Sequence, residues 1–256
     1  MATKKETDTT IFVTEQRRET LNFCILGTTP LIHNRMSQKV MQTLLCPAPR
    51  KNSAEKAQSL KHNPLEEYRS SPYTTLDNNN PTLITLLATM FKGGMMVAAL
   101  DIPGVAKTQI KRQVYLEGQT VHVYGIPEMI MAVTRSADIN KTPDIRTRAI
   151  MRKWACHLSI SYTVPILNQQ SISNLLAAAG IVSGVGDWRQ EKGSGNYGCY
   201  KLTTADDPEF LEVVAKGGRQ AQKDALETPK FYDQETEDLY NWFETETKRR
   251  GMKVAA

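Results

Sequence analysis

Five of the chain's fifteen glycines fall within residues 184–200, at Gly184, Gly186, Gly193, Gly195 and Gly198, and no other stretch limits the possible folds as sharply. Glycine accepts positive φ and admits a second backbone at close range, so this segment is expected to be a loop with an unusual path. Upstream, Ile172, Leu175, Leu176 and Ala179 recur at helical spacing, with Asn168 placed to cap the helix and Gly180 to stop it. Downstream, residues 200–202 read as a short strand. A helix followed by a glycine-rich loop and a strand reverses the strand-to-helix order of a Rossmann or P-loop site, so no nucleotide cofactor is expected. The loop also carries Arg189, Lys192, Trp188 and Tyr197. Exposed amides and cations can meet phosphates, and flat aromatic faces can stack unpaired bases.

The motif, with Gly184 and Gly186 opening the loop and Gly193, Gly195 and Gly198 closing it before a strand, resembles the glycine-rich loop of the RAMP superfamily, and within it the Cas7-like backbone subunits of CRISPR effector complexes. The resemblance covers about a third of the chain. It implies an α+β fold with a ferredoxin-like or RRM-type antiparallel sheet, and a single-stranded nucleic acid, RNA in that superfamily, lying along the protein. It also implies self-association into a homo-oligomer or helical filament, or several copies within a larger ribonucleoprotein.

The charge distribution agrees with a polyanion partner. The net charge is +5, yet residues 206–250 hold twelve acids and seven bases, which leaves the rest of the chain at about +10. Between residues 135 and 153 there are six cations against two acids. Cys24, Cys46, Cys156 and Cys199 are too far apart for a C-x-x-C pair, so reduced thiols and no metal are expected. No apolar run approaches the roughly 20 residues that span a bilayer, and the first residues lack the apolar segment of a secretion signal, which points to a cytoplasmic protein without a membrane partner.

The whole chain, 1–256, reads as one elaborated α+β domain: a flexible N-terminus over 1–17, a core over 18–205, and an acidic helical tail over 206–256. The core is interrupted by a helical insertion at about 37–84 and a projecting β-hairpin at about 134–148. Leu21, Phe23 and Ile25 alternate with polar residues as in a half-buried strand over 18–26. Helices are expected over 37–45, 54–62 and 85–100. A hairpin is expected over 114–124 with its turn at 117–119, a strand over 128–133, and a resumed strand at 149–151. Residues 154–164 alternate most clearly, with Trp154, Cys156, Leu158, Ile160 and Tyr162 on one face. The other face is small and hydroxylated and lacks the paired aromatics an RRM stacks on bases. The last helix, over 233–250, carries an apolar stripe of Leu239, Trp242 and Phe243.

Three further groups of cations join the loop as candidate nucleic-acid contacts. Arg35 and Lys39 lie just beyond the first strand. Lys107, Lys111 and Arg112 stand among small residues, and Arg135, Lys141, Arg146 and Arg148 are on the hairpin. In Cas7-like proteins a projecting hairpin displaces bases, and the resemblance implies that role here. The function expected is non-enzymatic binding of single-stranded RNA or DNA through the phosphate backbone. Two alternatives stand beside it. A metal-independent RNA endonuclease would use His33 or His157 as general acid or base, and a protein-only assembly subunit would bind no nucleic acid.

Overall fold

A computed structural model describes residues 13–46, 60–135, 142–191 and 195–252. Most of the N-terminal segment and of the helix expected over 54–62 lies outside these residues. The fold is α+β. Its main sheet contains β1 (Arg17–Gly27), β3 (Tyr73–Thr74), β4 (Ile84–Leu87), β5 (Val114–Leu116), β6 (Thr120–Tyr124), β9 (Ala155–Val164) and β10 (Tyr200–Thr203). The strand order is β10-β1-β9-β6-β4-β3, with β5 also on β9 and all pairings antiparallel.

Two helices cover one face of this sheet and pack against each other: α3 (Ala88–Ala98) and α5 (Gln169–Val182). In chain order the central elements are β1, α3, β5 with β6, β9, α5 and β10. Spatially the strands run fourth, first, third, second, which is the ferredoxin-like arrangement. The helix-facing side of β9 supplies Cys156, Leu158, Ile160 and Tyr162 to a core shared with Ile25, Phe91, Met95, Leu175 and Leu176, all buried. Each large apolar side chain removed from water in this way contributes about 1.5–3 kcal/mol. Trp154 is fully buried against Gly27, where any Cβ would fall onto the indole, and its Nε1 donates to the Thr29 carbonyl at 2.9 Å.

Two insertions elaborate this core. The first leaves β1 through β2 (Leu31–Ile32), α1 (Gln38–Leu45) and α2 (Pro64–Ser70) before reaching β3 and β4. The second sits between β6 and β9 and forms a long hairpin, β7 (Pro127–Arg135) and β8 (Pro143–Met151). With β2 it makes a three-stranded sheet of order β2-β8-β7. The strand expected to resume at residue 149 therefore starts six residues earlier, because the whole basic stretch from Pro143 pairs in register with β7.

Two other expectations are corrected. The helix expected from residue 85 begins at Ala88, since Thr85, Leu86 and Leu87 pair with β6, and Ile84, Thr85 and Leu86 are buried before the turn into the helix. Residues 114–124 are not a hairpin. β5 and β6 run in the same direction along β9, and their registers differ by three residues, taken up at Glu117–Gln119. Gly118 at φ 76° permits that excursion.

The tail forms α6 (Pro208–Lys216), α7 (Arg219–Glu227) and α8 (Gln234–Arg249). Asp207 and Asp233 cap α6 and α8 through backbone N–H groups. α8 lies along the outer edge of β7, where Thr236 Oγ1 accepts from Met131 N at 3.2 Å. Its buried positions are Thr236 and Thr247, with Tyr240 packed on the main core. The expected stripe is thus displaced around the helix, and Trp242 stays 60% exposed.

Candidate nucleic-acid interface

The glycine-rich loop begins where α5 ends and crosses one face of the small sheet. Ile32, Ile130 and Ile150 form the apolar root of that face, and Trp188, Tyr197 and Tyr232 pack on them. Trp188 and Tyr197 also stack on each other, with centroids 6.1 Å apart and planes 17° apart. Gly195 fits because a Cβ there would meet the Trp188 carbonyl, and Gly198, at φ 73°, because a Cβ would meet the Val185 carbonyl.

These close approaches take five of the loop's amides out of reach of phosphates. Gly184 N donates to Ala179 O, Val185 N to Gly198 O, Asp187 N to Ile32 O, Tyr197 N to Trp188 O and Gly198 N to Pro30 O. Gly184 and Gly186 help thread the loop against the sheet, and their neighbouring amides are taken up internally. Arg189 is also withdrawn: its side chain is 13% exposed and lies 3.4 Å from Glu191. Lys192 and Gly193 lie outside the described residues, as does Lys141 of the hairpin.

Beyond the apolar root, the same face of β8 carries Asp144, Arg146 and Arg148 at alternate positions. Together with Asn34, Lys61, Thr134, Arg135, Asp187 and Trp188 they line an open cleft of about 700 Å³. Four cations face two carboxylates there, a surplus of two positive charges. Arg148 donates to Asp187 Oδ2, which also accepts from Asn34 Nδ2 at 3.2 Å. Lys61 donates to Asp144 at 2.6 Å, and Arg146 approaches the same carboxylate at 3.3 Å while staying 52% exposed. Burial alone would raise the Asp144 carboxyl, but hydrogen bonds and charge from Lys61 and His62 hold it below the usual carboxylate range. Arg135 is exposed on the cleft wall.

His62 fastens the base of this wall. Its two ring nitrogens lie 2.7 Å from Glu67 Oε1 and 3.0 Å from Asp144 Oδ1, and Glu67 Oε2 accepts from Thr147 N at 3.3 Å. The hairpin is thereby tied to α2. A second hollow of about 510 Å³ shares Asn34, Arg146 and Arg148 with the cleft and adds Arg35, Met36, Val40 and Tyr73. Arg35 lies over the Tyr73 ring at 5.8 Å. The side chain of Lys39, on α1, is outside the described set.

The expected contacts therefore divide. Arg35, Arg135, Arg146, Arg148 and Trp188 come together around two continuous hollows, with Tyr197 stacked behind Trp188. Lys107, Lys111 and Arg112 do not join them. They lie on α4 (Lys107–Gln113), which leads into the end of β9 near Tyr162, whereas the cleft belongs to the Ala155 end. Seven residues of strand separate those ends, about 23 Å.

The catalytic alternatives part as well. His33 is 1% exposed, and burial pushes its imidazole down to about 4. It is shut away from any substrate. His157 is exposed on the opposite face of the main sheet, with Cys24 Sγ 3.7 Å from its Nδ1 and Phe210 edge-on at 5.1 Å. Among the described residues, no three His, Cys, Asp or Glu side chains are grouped to hold a metal ion, and no helix is long and apolar enough to cross a membrane.

Lys61, His62, Asp144 and Asp187 were missed by sequence reasoning. In the sequence the two acids register only as charge opposing the basic stretches, and Lys61 and His62 have no periodic neighbours to place them. The alternation of Asp144, Arg146 and Arg148 was the one signal available.

No family model matches this chain, and no curated protein matches it in sequence. Among solved structures, a chain of the type III-B Cmr-beta complex bound to cognate target RNA, determined by cryo-EM, is similar at a TM-score of 0.39 and 10% identity, over 73% of this chain and 59% of that one. This chain thus spans less than two thirds of the length of that relative, and the likeness is distant.

Proposed function

We propose that this chain is a non-enzymatic protein that binds single-stranded RNA or DNA along the cleft between the β7–β8 hairpin and the glycine-rich loop, with several copies lined up on one strand. The carrying observation is the cleft itself: Lys61, Arg135, Arg146 and Arg148 outnumber Asp144 and Asp187 in a hollow walled on one side by Trp188. A surplus of cations suits the sugar-phosphate backbone, and an indole suits a base without choosing among bases. In this reading the glycine-rich loop does not grip phosphates itself. It holds Trp188 and Asp187 in place, and the hairpin supplies the charge.

The test is fluorescence anisotropy of the purified, nuclease-treated protein with labelled RNA and DNA oligonucleotides across a salt series. Each phosphate neutralised on a single strand changes the log–log salt slope by about 0.7. Arg135→Ala with Arg146→Ala should flatten the slope by about 1.4 and weaken binding to all sequences alike. No binding at low salt, or an unchanged slope in the double variant, would remove the cleft from the site.

A further inference from the structure

His62 is held in an arrangement that only one of its charge states satisfies. Its Nδ1 lies 2.7 Å from Glu67 Oε1 on α2, and its Nε2 lies 3.0 Å from Asp144 Oδ1 on β8. A neutral imidazole has one N–H and one lone pair, so either tautomer sets a lone pair against a carboxylate oxygen at one of the two contacts. The imidazolium donates at both. The side chain is only 23% exposed, so water is a poor substitute for either partner.

The charged groups around the ring make that proton count for the cleft. Lys61 Nζ shares Asp144 Oδ1 at 2.6 Å, and Arg146 Nη2 stands 3.3 Å from Asp144 Oδ2. Glu67 Oε2 accepts from Thr147 N, and the charge of Glu67 also reaches Arg148. Glu66, in the same first turn of α2, is engaged by Asn63. With His62 charged, His62 and Lys61 balance the two carboxylates, and the half-exposed Arg146 keeps its charge for a ligand. Without the proton, one negative charge is left over beside Arg146, which is the cation placed to answer it.

We infer that His62 is a positioning residue of the cleft: its imidazolium clasps α2 to the hairpin and leaves Arg146 to phosphate, and loss of its proton opens one side of the clasp and turns Arg146 back onto Asp144. Binding of a single strand therefore weakens as the pH rises from 6 to 8, a range in which imidazole changes charge while Lys and Arg do not. The other three histidines do not line the cleft. This inference rests on the reading above of the cleft as the nucleic-acid site.

The experiment is fluorescence anisotropy of nuclease-treated protein with a labelled single-stranded oligonucleotide, at fixed low salt and at pH 6, 7 and 8. Wild type should bind about tenfold more weakly at pH 8 than at pH 6, the worth of one charge-assisted hydrogen bond. His62→Gln, with no proton to lose, should bind at every pH as weakly as wild type does at pH 8. His62→Lys keeps a cation throughout and should bind at every pH as tightly as wild type does at pH 6. Glu67→Gln replaces one acceptor with an amide that donates to a neutral ring, so its binding should also be independent of pH, and it serves if His62→Gln fails to fold.

A residue that only holds the fold together would lower affinity at every pH alike and leave the profile in place. Equal affinity of wild type at pH 6 and 8 overturns the inference, and so does either Gln variant that keeps the wild-type fall. The clasp is also read without ligand, from the Thr147 amide resonance in NMR spectra of the free protein. It should move between pH 6 and 8 in wild type and stay in place in His62→Lys. If no oligonucleotide binds at any pH while Thr147 responds, the clasp stands and the cleft falls as a binding site. If binding is tight and independent of pH while Thr147 is static, the cleft stands and the clasp falls.

Discussion

His33 should make this protein acid-sensitive in a defined window, and the size of the effect follows from its surroundings. The side chain is 1% exposed, and neither ring nitrogen has a hydrogen-bond partner among the described residues. Burial takes the imidazole from the ordinary 6.5 down to about 4. The unfolded chain therefore binds a proton at a pH where the folded chain does not. The stabilisation from a neutral His33 is complete above about pH 6.5 and is lost as the pH falls from there towards 4. A difference of about 2.5 units is about 3.4 kcal/mol over the whole window, of which about 2 kcal/mol should be lost between pH 7 and pH 5. Carboxylates titrate in the lower part of the same range, so the informative quantity is a difference between proteins. Urea unfolding of wild type and His33→Leu at several pH values should give parallel profiles above pH 7 that diverge below it, with the variant relatively more stable in acid. An NMR titration placing His33 near 6.5, or two profiles of equal slope, would refute the reasoning.

Gln222 is fully buried; its Oε1 accepts from Leu83 N and Ile84 N, both at 2.9 Å, and its Nε2 is directed at the carbonyls of Val123, Gly125 and Gly217. Gln222→Leu strands two buried N–H groups and should lower the unfolding free energy by about 3 kcal/mol, read from chemical denaturation. Gly198→Ala forces a side chain into positive φ and onto the Val185 carbonyl, and should destabilise the protein by more than about 2 kcal/mol and loosen the Trp188–Tyr197 stack, seen as a change in near-ultraviolet dichroism. Lys107→Ala, Lys111→Ala and Arg112→Ala together should leave the salt slope of oligonucleotide binding within error of wild type, because their helix stands at the far end of β9. A large loss of affinity there would move the site.

Much of the framework was legible because its strands alternate and its helices are capped. β1, β9 and α5 follow from period and from Asn168, and the hairpin from its charge. What escaped was set by partners distant in sequence. Nothing local says that Glu117–Gln119 is an excursion within one strand line, since the register that reveals it belongs to β9. Ile84–Leu87 carries helix-compatible leucines, and its pairing with β6 decides otherwise. The glycine-rich loop was legible as a loop of unusual path, but its glycines serve contact with Ile32, Val185 and Trp188. Whether an amide faces outward or inward depends on those neighbours.

The three-residue excursion between β5 and β6 also places a carboxylate on the reverse side of the main sheet. It lays the Glu117 carboxylate over the hydroxylated side of β9, where Ser161 donates to it and Thr20 joins Ser161 at 2.7 Å. A polyanion drifting onto that broad surface meets a fixed negative charge and a hydroxyl cluster already engaged with it. Under the proposed function, that side of the main sheet has fewer uncommitted donors to offer such a ligand than the cleft beside the hairpin.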